Sequence, residues 1–337
     1  MQLISNFVSQ QGDLSFSNLM EILAIEHDSK TSLQLAKDYF FRSTSFDIQK
    51  KGMEFLYMNG HCLELRKMIA RNRNSGNSSN QKWAKVYQIV FDRKAGNFPP
   101  QTIIKQLDAI ETDEPELISI IEITKVSCYV DMHMFSALAD FLDQYHKWFN
   151  QVRDQAFLSY LNIRIELLLM YYYLSKNLVI LARRSANRLL KEESISPYLK
   201  ISAHTHLGFS YLFESYAETM THMQQAMQIA CDNHYDEVID VFKNRNIPFV
   251  AAHFNQADHI TSNDKSEQAH LEIARGNNER AIEILNELPL DTPFQLYYMG
   301  KAKQDKELLC RASNQFIEQS SDYFFCRLPL SELGRMV

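Results

Sequence analysis

The sequence predicts an all-α protein of stacked helical hairpins. Gly and Pro are scarce, 9 and 8 residues in 337, while 45% of the chain is hydrophobic. That composition excludes disordered and collagen-like classes and favours helix. Apolar residues recur at three- and four-residue steps, and no convincing strand-like alternation or Asn-Gly hairpin interrupts them. A small-residue pattern then repeats at hairpin length: Ala281 and Leu285 are followed 31 residues later by Ala312 and Phe316. This is the tetratricopeptide pattern, in which a small residue lets two helices approach and a proline closes the unit. The expected architecture is a tetratricopeptide-like right-handed superhelix with a concave face, preceded by a truncated helix-turn-helix remnant; because the repeats are degenerate, an irregular helical bundle is the alternative.

At the N-terminus, Ile4, Phe7 and Val8 form a short apolar stripe, Gly12 ends that helix, and Ser15 caps a second one carrying Leu19, Ile22 and Leu23. This order resembles the back half of a helix-turn-helix domain of the phage-repressor type (recognition helix, Gly-containing loop, capped helix), and an ordinary first helix of a solenoid is the alternative. The exposed face of the first helix is Gln2, Ser5, Asn6 and Ser9, whose amides and hydroxyls suit adenine edges and phosphates, so these are the DNA-binding candidates. The helix that should precede the turn is missing from the sequence. The division expected is residues 1–50 for this remnant and 51–337 for a peptide-binding solenoid.

Further along, the polar run Arg71–Gln81 lacks any apolar period and predicts a loop. Residues 51–105 hold ten Lys or Arg against three Asp or Glu, and residues 106–143 one Lys against nine acids. Solvated helix faces account for both blocks, Asp113, Glu114 and Glu116 included; the sharper reading is that the basic block steers a phosphate backbone. Within 157–173, Leu158, Leu161, Ile165, Leu168, Leu169 and Tyr172 predict one buried stripe. Ala182, Ala186, Leu189 and Leu190 predict the next. Leu207, Gly208 and Tyr211 open a hairpin whose second helix carries Met223, Ala226 and Ala230. Over Glu267–Leu288, Gly276 separates two helices, and Pro293, twelve residues after Ala281, is expected to close the unit.

The chemistry-bearing motifs of enzymes are absent. No two glycines stand closer than eight residues, which excludes dinucleotide and Walker-type loops, and neither HExxH nor G-x-S-x-G occurs. His204 and His206 would point about 200° apart on a helix and could not share a metal. No cofactor, metal or catalytic role is expected. Five scattered cysteines without a C-x-x-C pair indicate free thiols in a reducing cytoplasm. The most apolar stretch, Leu167–Ser175, falls far short of the about 20 residues a membrane span needs. The net charge of −6 confines any nucleic-acid surface to a local patch.

Several short stretches carry a resemblance by their order: Lys37–Asp38–Tyr39, Lys85–Val86–Tyr87, LGFSYLF at Leu207–Phe213, SEQAH at Ser266–His270, and SDYFFCRLPLSELGRM at Ser321–Met336. Together they resemble the arbitrium receptors (AimR) of Bacillus phages, relatives of quorum-sensing receptors that bind linear peptides. The resemblance covers essentially the whole chain. It implies an N-terminal helix-turn-helix, a tetratricopeptide-like superhelix, and a secreted, re-imported peptide of about six residues held in the concave groove. It also implies a homodimer whose DNA binding the peptide shifts, setting the lysis–lysogeny choice. Relatives of this kind carry further helices before Met1 and a dimerisation segment after Val337, so both ends are expected to be shortened here.

The same collinearity places the family's pocket arginine at Arg183 and a pocket position of the preceding helix at Tyr160. Asn187 lies one turn beyond Arg183; Arg164 shares the stripe of Tyr160, and Asn162 faces the other way. Asn244 and Asn246 fall in a stretch that is Asn-rich in relatives, and His204, Asp305 and Glu307 complete the peptide-binding candidates. Amides serve a peptide's carbonyls and N–H groups, and a guanidinium can clamp a carboxylate. Bland roles stand beside these: Arg183 as a partner of Glu166, Asn246 as a turn cap, His204 as a packing residue. The expected function is an intracellular, cytoplasmic peptide receptor regulating phage transcription. The alternatives are an adaptor that binds a protein partner without DNA, and a relative acting on response-regulator phosphoryl groups.

Overall fold

The computed structural model describes residues 14–132, 134, 136–192 and 195–336, and every regular element among them is helical. Gln2, Ser5, Asn6 and Ser9 lie outside the described residues. The chain divides into two compact units, Met1–Ile165 and Glu166–Val337. In the first, helices run α1 (Phe16–Glu26), α2 (Ser29–Arg42), α3 (Phe46–Met58), α4 (Cys62–Arg73), α5 (Ser78–Lys94), α6 (Pro100–Asp108), α7 (Pro115–Asp131), α8 (Ser136–Gln144) and α9 (His146–Phe149). Helix α10 (Gln155–Ser175) contributes to both units. The second continues with α11 (Val179–Lys191), α12 (Pro197–Ser210), α13 (Tyr216–Asp232), α14 (Asp236–Val241), a π turn (Phe242–Asn246), α15 (Ile247–His253), α16 (Lys265–Ala274), α17 (Asn278–Asn286), α18 (Pro293–Lys303), α19 (Lys306–Ser320) and α20 (Arg327–Arg335).

Sequence-adjacent helices pack as hairpins, α4 on α5 in the first unit and α12 on α13, α16 on α17 and α18 on α19 in the second. Small residues make the close approaches. A Cβ at Gly208 would stand 2.9 Å from Met223 Cε and 3.1 Å from the Thr219 carbonyl oxygen, and one at Gly300 3.0 Å from Leu309 Cδ2. Gly276 takes φ +84° between α16 and α17, a conformation that costs glycine nothing. Ala226, Ala230, Ala281, Leu285 and Ala312 are fully buried in one core, as the repeat pattern requires. Ser15 accepts from Asn18 N at the start of α1, the cap read from the sequence.

Three expectations are corrected. The Arg71–Gln81 run is mostly helix: α4 continues to Arg73, α5 starts at Ser78, and Asn77 caps α5 by accepting from Asn80 N. Its asparagines explain the missing apolar period. Asn72 and Asn80 are buried, Asn80 Nδ2 donating to Asn72 Oδ1 at 2.6 Å and to the Phe46 carbonyl at 3.0 Å, so amides fill positions that apolar residues would otherwise hold. On α10, Leu161 and Ile165 are buried, but Leu158, Leu168, Leu169 and Tyr172 are only half-buried, while Phe157, Tyr160 and Arg164 are inside. A helix apolar almost all round cannot reveal its inward face by periodicity. Finally, Glu114 is not a solvated acid. It accepts from Ser79 Oγ at 2.5 Å, Lys50 Nζ at 2.8 Å and Trp83 Nε1 at 3.0 Å, and these donors hold its carboxyl below the usual range against the cost of burial.

Candidate functional site

Helix α11 turns Ala182, Ala186 and Leu189 inward, which leaves Arg183 half-buried at the margin of the second unit. Helix α12 stops at Ser210, so its last carbonyls have no donor from the helix itself and carry the negative end of its dipole. Arg183 supplies the donors: Nε to Ser210 Oγ at 2.9 Å and Nη2 to the Ser210 carbonyl at 2.7 Å. The half-exposed Glu214 carboxylate stands 2.8 Å from Nη2. The guanidinium also lies flat enough over Tyr211 to bring its carbon 3.6 Å from the ring centroid. None of these contacts uses Nη1.

From Tyr211 the stacking continues. Its ring faces His222 of α13 at 5.9 Å and 18°, and His222 Nδ1 meets His204 Nδ1 of α12 at 3.2 Å. Burial, then the charges of His222 and Lys200, push His204 down to about 4, and burial likewise lowers His222. Both rings are therefore neutral at pH 7, with one Nδ1–H donating to the lone pair of the other. Arg183, Tyr211, His222 and His204 form a continuous half-buried ladder whose positive charge resides on Arg183. Asn187, exposed one turn beyond, donates Nδ2 to the Arg183 carbonyl at 2.8 Å and leaves its amide oxygen facing outward from that bond.

The structure thus joins three of the predicted residues, Arg183, Asn187 and His204. The anticipated Arg183–Glu166 pair does not form; Glu166 takes Arg188 at 3.0 Å instead. Asn244 and Asn246 belong to the π turn. Pro248 has no N–H to offer the Asn244 carbonyl, and Ser262 Oγ fills that place at 2.5 Å, while Asn244 Oδ1 accepts from Asn263 N at 2.8 Å and Nδ2 donates to Asp240 at 2.7 Å. Asn246 ends that turn, half-buried. Asp305 caps α19 by accepting from Leu308 N at 3.1 Å, and Glu307 is exposed in the first turn, where a carboxylate favours the helix dipole.

In the first unit, Tyr160 is a buried packing residue, 6.0 Å from the Phe16 ring, and Asn59 Nδ2 donates to its hydroxyl at 3.5 Å. Arg164 is buried in a bidentate pair with Glu54, Nε–Oε1 2.7 Å and Nη2–Oε2 2.5 Å, and Tyr87 donates to the same carboxylate at 2.6 Å. Neither side chain is open to a ligand; Asn162, beside them in sequence, is exposed. Local spacing does not single out Tyr211 and His222, the other members of the ladder, or Ser210 and Glu214, which hold Arg183. They are 27 or more residues from Arg183, and no local spacing links them. Only the packing of α11 on α12 and of α12 on α13 brings them together. Among the described residues no group of three or more His, Cys, Asp or Glu is placed to hold a metal, and no helix is long and apolar enough to cross a membrane.

The sequence profile of the AimR transcriptional regulator-like family matches residues 32–335. This chain belongs to that family. The AimR transcriptional regulator of Bacillus phage SPbeta is 22% identical over 343 residues, covering 95% of this chain and 85% of the relative. That of Bacillus phage phi3T is 22% identical over 320 residues, covering 90% and 82%. The solved structure of phAimR with its ligand matches the fold with a TM-score of 0.81 at 20% identity, over 96% of this chain and 98% of the other. Selenomethionine phAimR matches with a TM-score of 0.70 at 20% identity, over 99% and 96%. The AimR fold is thus shared across nearly the whole chain.

Proposed function

We propose that this AimR-family chain is a cytoplasmic, homodimeric transcriptional regulator of a phage, controlled by a short linear peptide bound in its second unit at the Arg183 ladder. The observation that carries the peptide assignment is the half-buried Arg183 guanidinium, stacked on Tyr211, with Nη1 outside its contacts to Ser210 and Glu214. A peptide carboxylate, terminal or side-chain, can displace the half-exposed Glu214 and take the planar donor pair that a guanidinium offers. Asn187 offers both donor and acceptor chemistry to the adjacent peptide bond. The ligand held by phAimR supports the same reading by analogy of fold. The peptide acts on DNA binding only through its unequal affinity for the two arrangements of the receptor.

Calorimetry of the full chain with the peptide encoded beside its gene tests the site. Arg183→Ala should weaken binding by roughly 10- to 100-fold, the worth of a charge-assisted hydrogen bond, and Arg183→Lys should recover little because an ammonium lacks the planar fork. Unchanged affinity in Arg183→Ala removes the ladder from the binding site. Gel shift with the DNA flanking the gene tests the regulatory half: no retardation, with or without peptide, overturns it.

A further inference from the structure

The 51–105 block loses part of its positive charge to carboxylates inside the first unit. Lys51 pairs with Asp47 at 2.8 Å and Asp154 at 3.2 Å, and Arg93 with Asp131 at 2.8 Å; just before the block, Lys50 takes Glu114 at 2.8 Å. Apart from Lys105 on α6, what remains is gathered on one hairpin. Helix α4 buries Leu65, Met68, Ile69 and Asn72, so Arg66, Lys67, Arg71 and Arg73 all fall on its exposed side. Helix α5 buries Trp83, Ala84, Val86 and Tyr87, which leaves Lys82 and Lys85 on its exposed side.

These cations are contiguous across the hairpin, and none of them is in an ion pair among the described residues. Arg73 Nη2 reaches Gln88 of α5 at 3.0 Å, and the Arg66 guanidinium lies 4.6 Å from the Phe91 ring centroid, so the basic row of α4 adjoins α5. Arg71 donates to the carbonyls of Phe41 at 2.6 Å and Ser43 at 2.9 Å, neutral acceptors that leave its charge intact and bring it beside the exposed Arg42 at the end of α2. Lys67, Lys82 and Lys85 make no ion pair among the described residues. Of the nearby acids, Glu64 pairs with Lys37, while Asp92 accepts from the neutral Gln88 and Asn97 and is, among the described residues, the one carboxylate that keeps its charge beside the α5 row. Between the cations stand exposed Asn74, Ser78 and Gln81, neutral groups of the kind that hydrogen-bond phosphate oxygens.

We infer that the exposed face of the α4–α5 hairpin is a sequence-independent contact surface for the phosphate backbone of duplex DNA, lying outside the N-terminal reader. The chemistry favours DNA over an acidic protein segment because the cations form a two-sided band interspersed with neutral hydrogen-bonding side chains, on which Leu63 is a single exposed large apolar side chain rather than a cluster. Arg66 and Arg73 alone are about 10 Å apart along α4, and a duplex presents a charge every 1.7 Å or so of its axis. The surface holds the duplex in place, and base reading belongs to another element. This inference rests on the transcription-regulator reading.

The test combines Lys67→Gln, Lys82→Gln and Lys85→Gln in the full chain, three exposed side chains without partners in the fold. Fluorescence anisotropy measures affinity for the gene-flanking duplex and for a scrambled duplex across a salt series. The surface predicts that both affinities fall by a similar factor, about tenfold or more near physiological salt, and that the log–log salt slope shrinks by about 1 per lysine removed. Melting temperature and peptide affinity should match the wild type. A variant that binds the duplex with unchanged slope overturns the surface and leaves the regulator reading standing. Wild-type protein without duplex affinity overturns both. Tighter, slope-carrying binding to single-stranded RNA of equal length overturns the assignment to DNA.

Discussion

Single side chains in this protein are decided by what the interior leaves them to bond. Arg164 and Glu54 show it most sharply: Glu54 is completely buried, and its oxygens accept from Arg164 and from Tyr87. Burial disfavours the charged form of Arg164, but the Glu54 charge outweighs that cost and raises its pKa above the ordinary arginine value. Removing one member strands the other. Glu54→Ala should cost about 3–5 kcal/mol in chemical denaturation, and Arg164→Ala a similar amount, whereas the double variant should cost much less than their sum. Additive losses would show that the pair is not coupled. The same residues show the limit of reading a stripe from spacing: Tyr160 and Arg164 have the right period for a groove, and the core takes them instead.

At the scale of one element, the π turn at Phe242–Asn246 is a consequence of Pro248. The Ile247 N–H reaches back to the Phe242 carbonyl, one residue further than in an α-helix, and the Asn244 carbonyl, deprived of its usual donor, turns to Ser262. Ser262 also accepts from Asp264 N at 2.9 Å, so one hydroxyl fastens the approach to α16. Ser262→Ala should therefore lower stability by about 1–3 kcal/mol through the unmet carbonyl and N–H, read as a lower denaturant midpoint with an unchanged slope. A neutral substitution would mean that water replaces the hydroxyl. Helix pairing by small residues, in contrast, was open to view before any coordinates. Ala281 and Ala312 stand where the tetratricopeptide spacing puts them, because only a small side chain permits that approach.

For the whole molecule, buried ionisable groups of the second unit set opposing slopes with pH. His204 and His253 are each pushed to about 4 by burial, and His206, His222 and His270 are lowered for the same leading reason. Between their folded values and the unfolded 6.5, the unfolded chain binds the extra protons, so these groups remove stability as pH falls below 6.5. Glu267 acts the other way. Buried, with only Oε1 bonded, to the Tyr298 hydroxyl at 3.0 Å, it is raised to about 8 from 4.5. There the folded state holds a proton that the unfolded state has lost, so stability falls as pH rises from 4.5 to 8. Asp322, raised by burial to about 6, has the same sign below Glu267. Thermal melting should therefore pass through a maximum near pH 6.5, and Glu267→Gln should flatten the decline on the alkaline side. A decline that persists in Glu267→Gln assigns it to another group.

What the sequence determined by itself was the class and its repeat: few Gly and Pro, three- and four-residue apolar steps, and small residues 31 apart leave stacked helical hairpins as the economical way to bury that surface. Local signals such as the Ser15 cap and the Gly276 break are equally legible, since their physics spans a single turn of chain. The members of the Arg183 ladder, the inward face of α10 and the fate of Glu114 were settled only by tertiary structure. Each depends on a partner 18 to 110 residues away, and on which flank of a nearly all-apolar helix meets its neighbour. A local pattern records what a residue can bond; packing alone selects which of those bonds water is excluded from.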